Sequence, residues 1–122
     1  MPATIEGPDF VALQVRDVQA AAAFFEGHLG MRRAPASPPG AVVFAGGPIP
    51  FAVREPLPGV DLDGDARPGL GVALWLRTTD AAEVHERLAT AGVAVTALHD
   101  GPFGPAFTFT GPEGYRLTVH GG

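Results

Sequence analysis

Apolar and polar positions alternate most clearly in "FVALQVR", where Val11, Leu13 and Val15 fall on one side of a strand and Phe10, Ala12, Gln14 and Arg16 on the other. The alternation returns in "GVALWLR", with Val72, Leu74 and Leu76 opposing Gly71, Ala73, Trp75 and Arg77. Both stretches belong to a gapless repeat at an offset of 61, "VALQVRDVQAAA" against "VALWLRTTDAAE". After each strand the apolar period lengthens to that of a helix. Ala21, Phe24, Phe25 and His28 predict a helix over about 18–28, stopped by Gly30. Val84, Leu88 and Ala91 predict a second from about Asp80, a good N-cap, to Ala91, stopped by Gly92. Three short strands then complete each copy, at 31–34, 41–45 and 50–54 in the first and at 93–96, 106–110 and 115–120 in the second.

The order is therefore β-α-β-β-β twice: module one at about 8–55, a turn-rich connector at 56–68, and module two at about 69–120. One helix covers only one face of a four-stranded sheet, so the other face needs a partner or must meet water. The predicted fold is α+β, with two tandem βαβββ modules forming a curved mixed sheet or half-barrel around a cleft. Phe10, Gln14, Trp75, Arg116, Thr118 and His120 then lie opposite the helix-packing face. A wetted polar face is the competing reading. Phe10 and Trp75 argue for the cleft, since burying each is worth roughly 1.5–3 kcal/mol. Phe24, Phe25, Phe44 and Phe107 are assigned to the core.

Composition changes this picture mainly by exclusion. The chain has 122 residues, 46% of them hydrophobic and 17% charged, as expected of one globular domain. Its 17 Gly and 13 Pro keep the elements short. A net charge of −5, with Arg as the sole strong base, argues against a nucleic-acid surface. Without Cys there is no disulfide framework and no thiolate chemistry. The start "MPATIEGPDF" lacks the features of a signal peptide, and no apolar run approaches the roughly 18–20 residues that span a bilayer, so a cytoplasmic protein without membrane insertion is expected.

Three segments carry a family resemblance: "LQVRDVQAAAAFFEGHLGM", "GVALWLRTTDAAEVHERLATAGV" and "FTFTGPEGYRLTV". In order and spacing the chain resembles the vicinal oxygen chelate superfamily, which includes glyoxalase I, extradiol dioxygenases, and fosfomycin- and bleomycin-resistance proteins. Metal-dependent members place a His or Gln early in each first strand and a Glu in each final strand. The corresponding positions here are Phe10, Gly71, Thr118 and, within a residue or two, Ala52. None is a usual ligand for a divalent transition metal. A shift of register would offer Gln14, Glu55 or His120, but no single shift restores the whole set.

Other clusters supply no substitute. His28 and His85 fall on the helices, His99 in a loop and His120 near the end, with no metal-binding spacing. "DLDGD" at 61–65 resembles the start of a calcium loop but continues with Ala66 where Gly is needed and Val72 where Glu is needed, so it reads as a surface loop. "GGPIP" and "GPFGP" read as turns.

The resemblance is greatest to the bleomycin-resistance type, and it implies a metal-free binding protein that sequesters or carries a small aromatic or antibiotic-like molecule, with no cofactor. The expected ligand-binding residues are Phe10, Gln14, Trp75, Phe103, Arg116, Thr118 and His120, with Trp75 and Phe103 as aromatic walls. Each has a bland counterpart: Trp75 in a core, Phe10 as a plug of the vacated metal position, Phe103 as a cap on the core, and the polar four solvated or paired. The alternative function is a glyoxalase- or dioxygenase-type enzyme with an atypical metal site, or metal-free acid–base chemistry using His120. A homodimer is a further implication of the resemblance.

Overall fold

The computed structural model describes every residue except Met1, Pro2, Thr4, Asp65 and Ala66. The chain divides into two compact units, Met1–Val60 and Asp61–Gly122.

The first unit opens with β1 (Val11–Gln14) and α1 (Val18–Leu29), followed by β2 (Arg32–Arg33), β3 (Ala41–Ala45) and β4 (Phe51–Arg54). Helix α1 starts where the Asp17 carboxylate accepts the Ala20 N–H at 3.0 Å, filling one of the donors a helix start leaves unpaired. It ends where the Gly30 N–H bonds back to the Glu26 carbonyl. The sheet order is β1-β4-β3-β2, with β1 and β4 parallel and the other pairs antiparallel. Its core is aromatic: the ring of Phe25 from α1 meets Phe51 at 5.1 Å and Phe44 at 6.1 Å, with Leu13, Val15, Val42 and Val53 buried alongside. Phe24 departs from its expected core place. The buried stripe of α1 is Ala21, Ala22 and Phe25, which leaves Phe24 half-buried at its margin, edge-on to His28 one turn later at 4.9 Å.

The second unit contains β5 (Trp75–Arg77), α2 (Ala81–Thr90), β6 (His99–Gly101), β7 (Gly104–Thr110), a single 3-10 turn (Pro112–Gly114) and β8 (Arg116–His120). The sheet order β5-β8-β7-β6 repeats that of the first unit, again with one parallel pair, β5 and β8. Asp80 caps α2, accepting the Glu83 N–H at 3.1 Å. Ala81, Val84 and Leu88 of α2 are buried, as are Phe107, Phe109, Leu117 and Val119 on the core side of the sheet.

Two strands differ from expectation. β5 begins at Trp75 rather than Gly71, because the chain before it turns: Leu70 and Val72 donate to the carbonyls of Arg67 and Gly69, and Gly71 has φ +91°. That conformation suits glycine and cannot continue a strand. The sixth strand lies at His99–Gly101 and not at 93–96. Residues near Val95 do run beside β7, with Thr96 N–H donating to the Thr108 carbonyl. There the Thr96 hydroxyl takes the Thr108 N–H at 2.9 Å, so a side chain replaces the next rung of the ladder and pairing resumes only at His99. His99, expected in a loop, therefore belongs to a strand. Within the "DLDGD" loop the Asp61 carboxylate accepts the Asp63 N–H at 3.0 Å, while Asp65 and the following Ala66 lie outside the described residues.

Candidate functional site

Strand register decides what each face of the second sheet presents. β8 is the second strand in the order, and its residues alternate: Leu117 and Val119 enter the core, so Arg116, Thr118 and His120 occupy the opposite face. Cross-strand partners share a face. Trp75 pairs with Thr118 and Arg77 with His120; on the other side Thr108 pairs with Thr118, Ala106 with His120, and His99 with Ala106.

Three rings converge on this face. The His120 imidazole lies 5.4 Å from the Trp75 ring and 6.4 Å from Phe103, and Trp75 and Phe103 are 5.9 Å apart at an interplanar angle of 85°. Phe103 gets there from the two-residue turn Pro102–Phe103, which joins β6 to β7 between the paired Gly101 and Gly104. Edge-to-face contact is favourable, yet it leaves ring faces uncovered. Trp75 remains 47% and Phe103 68% exposed, although large apolar rings are the groups that burial would stabilise most. Beside the rings the Thr118 and Thr108 hydroxyls are hydrogen-bonded to each other at 2.9 Å. Among the described residues neither nitrogen of His120 has a hydrogen-bond partner.

Of the residues expected to bind ligand, Trp75, Phe103, Thr118 and His120 thus form one cluster. Arg116 shares their face, exposed and paired across the sheet with Thr110. Phe10 and Gln14 belong to the first unit. Phe10 precedes β1 and is 49% exposed, while Gln14 accepts the Leu57 N–H through Oε1 at 2.7 Å and so pins the first turn of the connector. Arg77, Thr108 and His99 join the face without having been singled out. Alternation from Trp75 would have found Arg77; Thr108 and His99 needed the β7 and β6 registers.

The four positions at which metal-dependent members carry ligands hold no matching donor set. Phe10 offers no donor, Gly71 no side chain, Ala52 a buried methyl, and Thr118 a hydroxyl engaged by Thr108. Among the described residues no three His, Cys, Asp or Glu side chains come together to hold a metal ion. This donor set does not fit a chelated divalent ion.

Each unit thus follows one βαβββ plan, and the second carries the ring-lined sheet face. Residues 7–119 match the model of the Glyoxalase/Bleomycin resistance protein/Dioxygenase superfamily, and the chain belongs to that family. Solved structures share the fold. TnmS3, an antibiotic-binding protein from Streptomyces sp. CB03234, is 22% identical with a TM-score of 0.78, over 98% of both chains. The bleomycin-binding protein of Streptomyces verticillus, complexed with copper(II)-bleomycin, is 20% identical with a TM-score of 0.66, over 100% of this chain and 99% of the other. The fosfomycin resistance protein FosX of Listeria monocytogenes, complexed with Mn(II) and sulfate, is 17% identical with a TM-score of 0.73, over 98% and 92%. No curated protein matches the chain. Among the described residues no helix is long and apolar enough to cross a membrane.

Proposed function

We propose that this chain is a metal-free binding protein that holds an aromatic, antibiotic-like molecule against Trp75, Phe103 and His120 and releases it unchanged. The observation that carries this reading is the exposed ring cluster on the sheet face opposite the core. A planar ligand laid on it would remove apolar surface from water and gain stacking of roughly 0.5–1.5 kcal/mol per ring pair beyond that. Thr118 and Arg116, on the same face of the second sheet, complete the proposed contacts. The unsuitable metal donors at Phe10, Ala52, Gly71 and Thr118 support a metal-free site, and two of the similar structures are named as an antibiotic-binding and a bleomycin-binding protein. The protein acts in the cytoplasm as a homodimer of 122-residue domains.

Trp75 is the sole tryptophan, so its fluorescence reports on the site directly. Titration with polycyclic aromatic antibiotics should give saturable, stoichiometric quenching, a rise in melting temperature with ligand concentration, and unaltered ligand by mass spectrometry. Added nickel, iron, manganese or zinc should leave the melting temperature unmoved. A stoichiometric metal with clear stabilisation would refute the metal-free reading.

One observation favours a second reading. His120 has an imidazole without a hydrogen-bond partner among the described residues, placed beside two rings, and such a group can carry a proton for metal-free acid–base chemistry. Turnover of a bound ligand that disappears in His120→Ala would establish it.

A further inference from the structure

The sheet face of the second unit has a charge character opposite to that of the chain. Overall the protein carries 13 Asp and Glu against 8 strong bases, a net charge of −5. On this face the register positions are Trp75 and Arg77 on β5, Arg116, Thr118 and His120 on β8, Ala106, Thr108 and Thr110 on β7, and His99 on β6. None is acidic. Asp100, the nearest acidic residue in the sheet, pairs with Pro105 and so belongs to the other face.

Both arginines are exposed, and among the described residues neither has an ion-pair partner. Two other arginines are ion-paired: Arg33 meets Glu26 at 2.9 Å and Arg87 meets Glu83 at 3.2 Å. The two arginine positions also flank Trp75 along the sheet. Arg77 is the direct cross-strand partner of His120, and Arg116 stands four residues from His120 along β8, about 13 Å at the rise of a strand. Trp75 and Thr118, paired with each other, lie between them.

We infer that the ligand of this face is an aromatic anion: a fused-ring molecule bearing a carboxylate or an acidic phenol, its rings on Trp75 and Phe103 and its charge on Arg77 or Arg116. The inference rests on the ring-cluster reading and adds the chemical class. Guanidinium pairs with carboxylate through two parallel N–H···O bonds, a geometry that neutral or cationic aromatics cannot use. Positive charge beside exposed rings also draws an anion toward a protein whose overall charge would repel it. Steric and hydrophobic complementarity alone would leave the ligand's charge unspecified.

The test uses three probes of one shape, 2-naphthoate, 2-naphthamide and 2-naphthylmethylammonium, each titrated into the full chain while Trp75 fluorescence is followed. Naphthoate should bind about fivefold more tightly than the amide, the size of a partly exposed charge-assisted contact, and the ammonium most weakly. Raising ionic strength should shrink the difference. Arg77→Gln or Arg116→Gln, whichever arginine holds the carboxylate, should weaken naphthoate and leave the amide unchanged, and no effect from either would overturn the anion inference. Arg87→Gln, which removes the same charge from α2, should preserve the preference. Equal affinity for carboxylate and amide, or tighter binding of the ammonium, would overturn the anion inference and leave the ring cluster standing as a site. No quenching by any of the three would remove the ring-cluster reading and this inference with it.

Discussion

Phe103 makes ring contacts with Trp75 and His120 while two-thirds of its surface remains in water. A side chain so exposed adds little to folding, because the surface it would hide from water is not hidden. Its worth should appear only when a ligand arrives. Phe103→Ala is therefore expected to leave the urea midpoint unchanged and to weaken an aromatic ligand by about two- to tenfold, the loss of one stacking contact. Equilibrium unfolding beside a Trp75 titration checks both halves. A large loss of stability would mean that Phe103 caps the core, the plain reading of an aromatic flanked by Gly and Pro.

At the scale of elements, the end of β8 is held by backbone alone. Gly121 donates to the Pro105 carbonyl and accepts the Ala81 N–H, so one residue ties β8 to the start of β7 and the first turn of α2. Its φ is +129°, and a Cβ there would run into the Thr78 carbonyl oxygen. Both facts demand glycine. Gly121→Ala should cost about 1–3 kcal/mol, read as a lower urea midpoint, with α2 fraying from its N-terminus by hydrogen exchange. An unchanged midpoint would show that the strand end shifts freely to make room.

Elements whose chemistry is local are legible in the sequence. Asp17 and Gly30 bound α1 within a residue of expectation, Asp80 caps α2 as read, and β8 alternates as its side chains suggested. One miss was a local turn and the other a long-range bond. The early strand start at Gly71 fails through a turn that reaches back to Arg67, and 93–96 gives up its strand to a Thr96 hydroxyl reaching Thr108 twelve residues away. The ring cluster was half visible: alternation placed Trp75 and His120 on one face, but only the two-residue turn of β6 and β7 brings Phe103 over them.

The whole molecule repeats one plan with two different cores. The first unit centres on Phe25, Phe44 and Phe51, the second on Phe107, Phe109 and Leu88. Each set is contributed by its own helix and sheet, so damage should stay local before it becomes global. Phe107→Ala, at a fully buried site, should cost about 3–5 kcal/mol. Native-state hydrogen exchange should lose protection in α2, β7 and β8 before it does in α1, β3 and β4. Simultaneous loss throughout would make the chain a single cooperative block.

The same plan also carries different side chains on its open faces. Where the second sheet shows Trp75, Thr108, Thr118 and His120, the corresponding face of the first shows Ala12, Val43, Ala52 and Arg54. β8 bears both duties of its unit at once, with Leu117 and Val119 for the core and Arg116, Thr118 and His120 for the face. Inheritance in this strand is consequently restricted to spelling changes. A point mutation at 116, 118 or 120 alters the open face and leaves Leu117 and Val119 in the core. Deleting or inserting one codon between them would turn the strand over, sending His120 inward and Val119 out, and lose fold and function together.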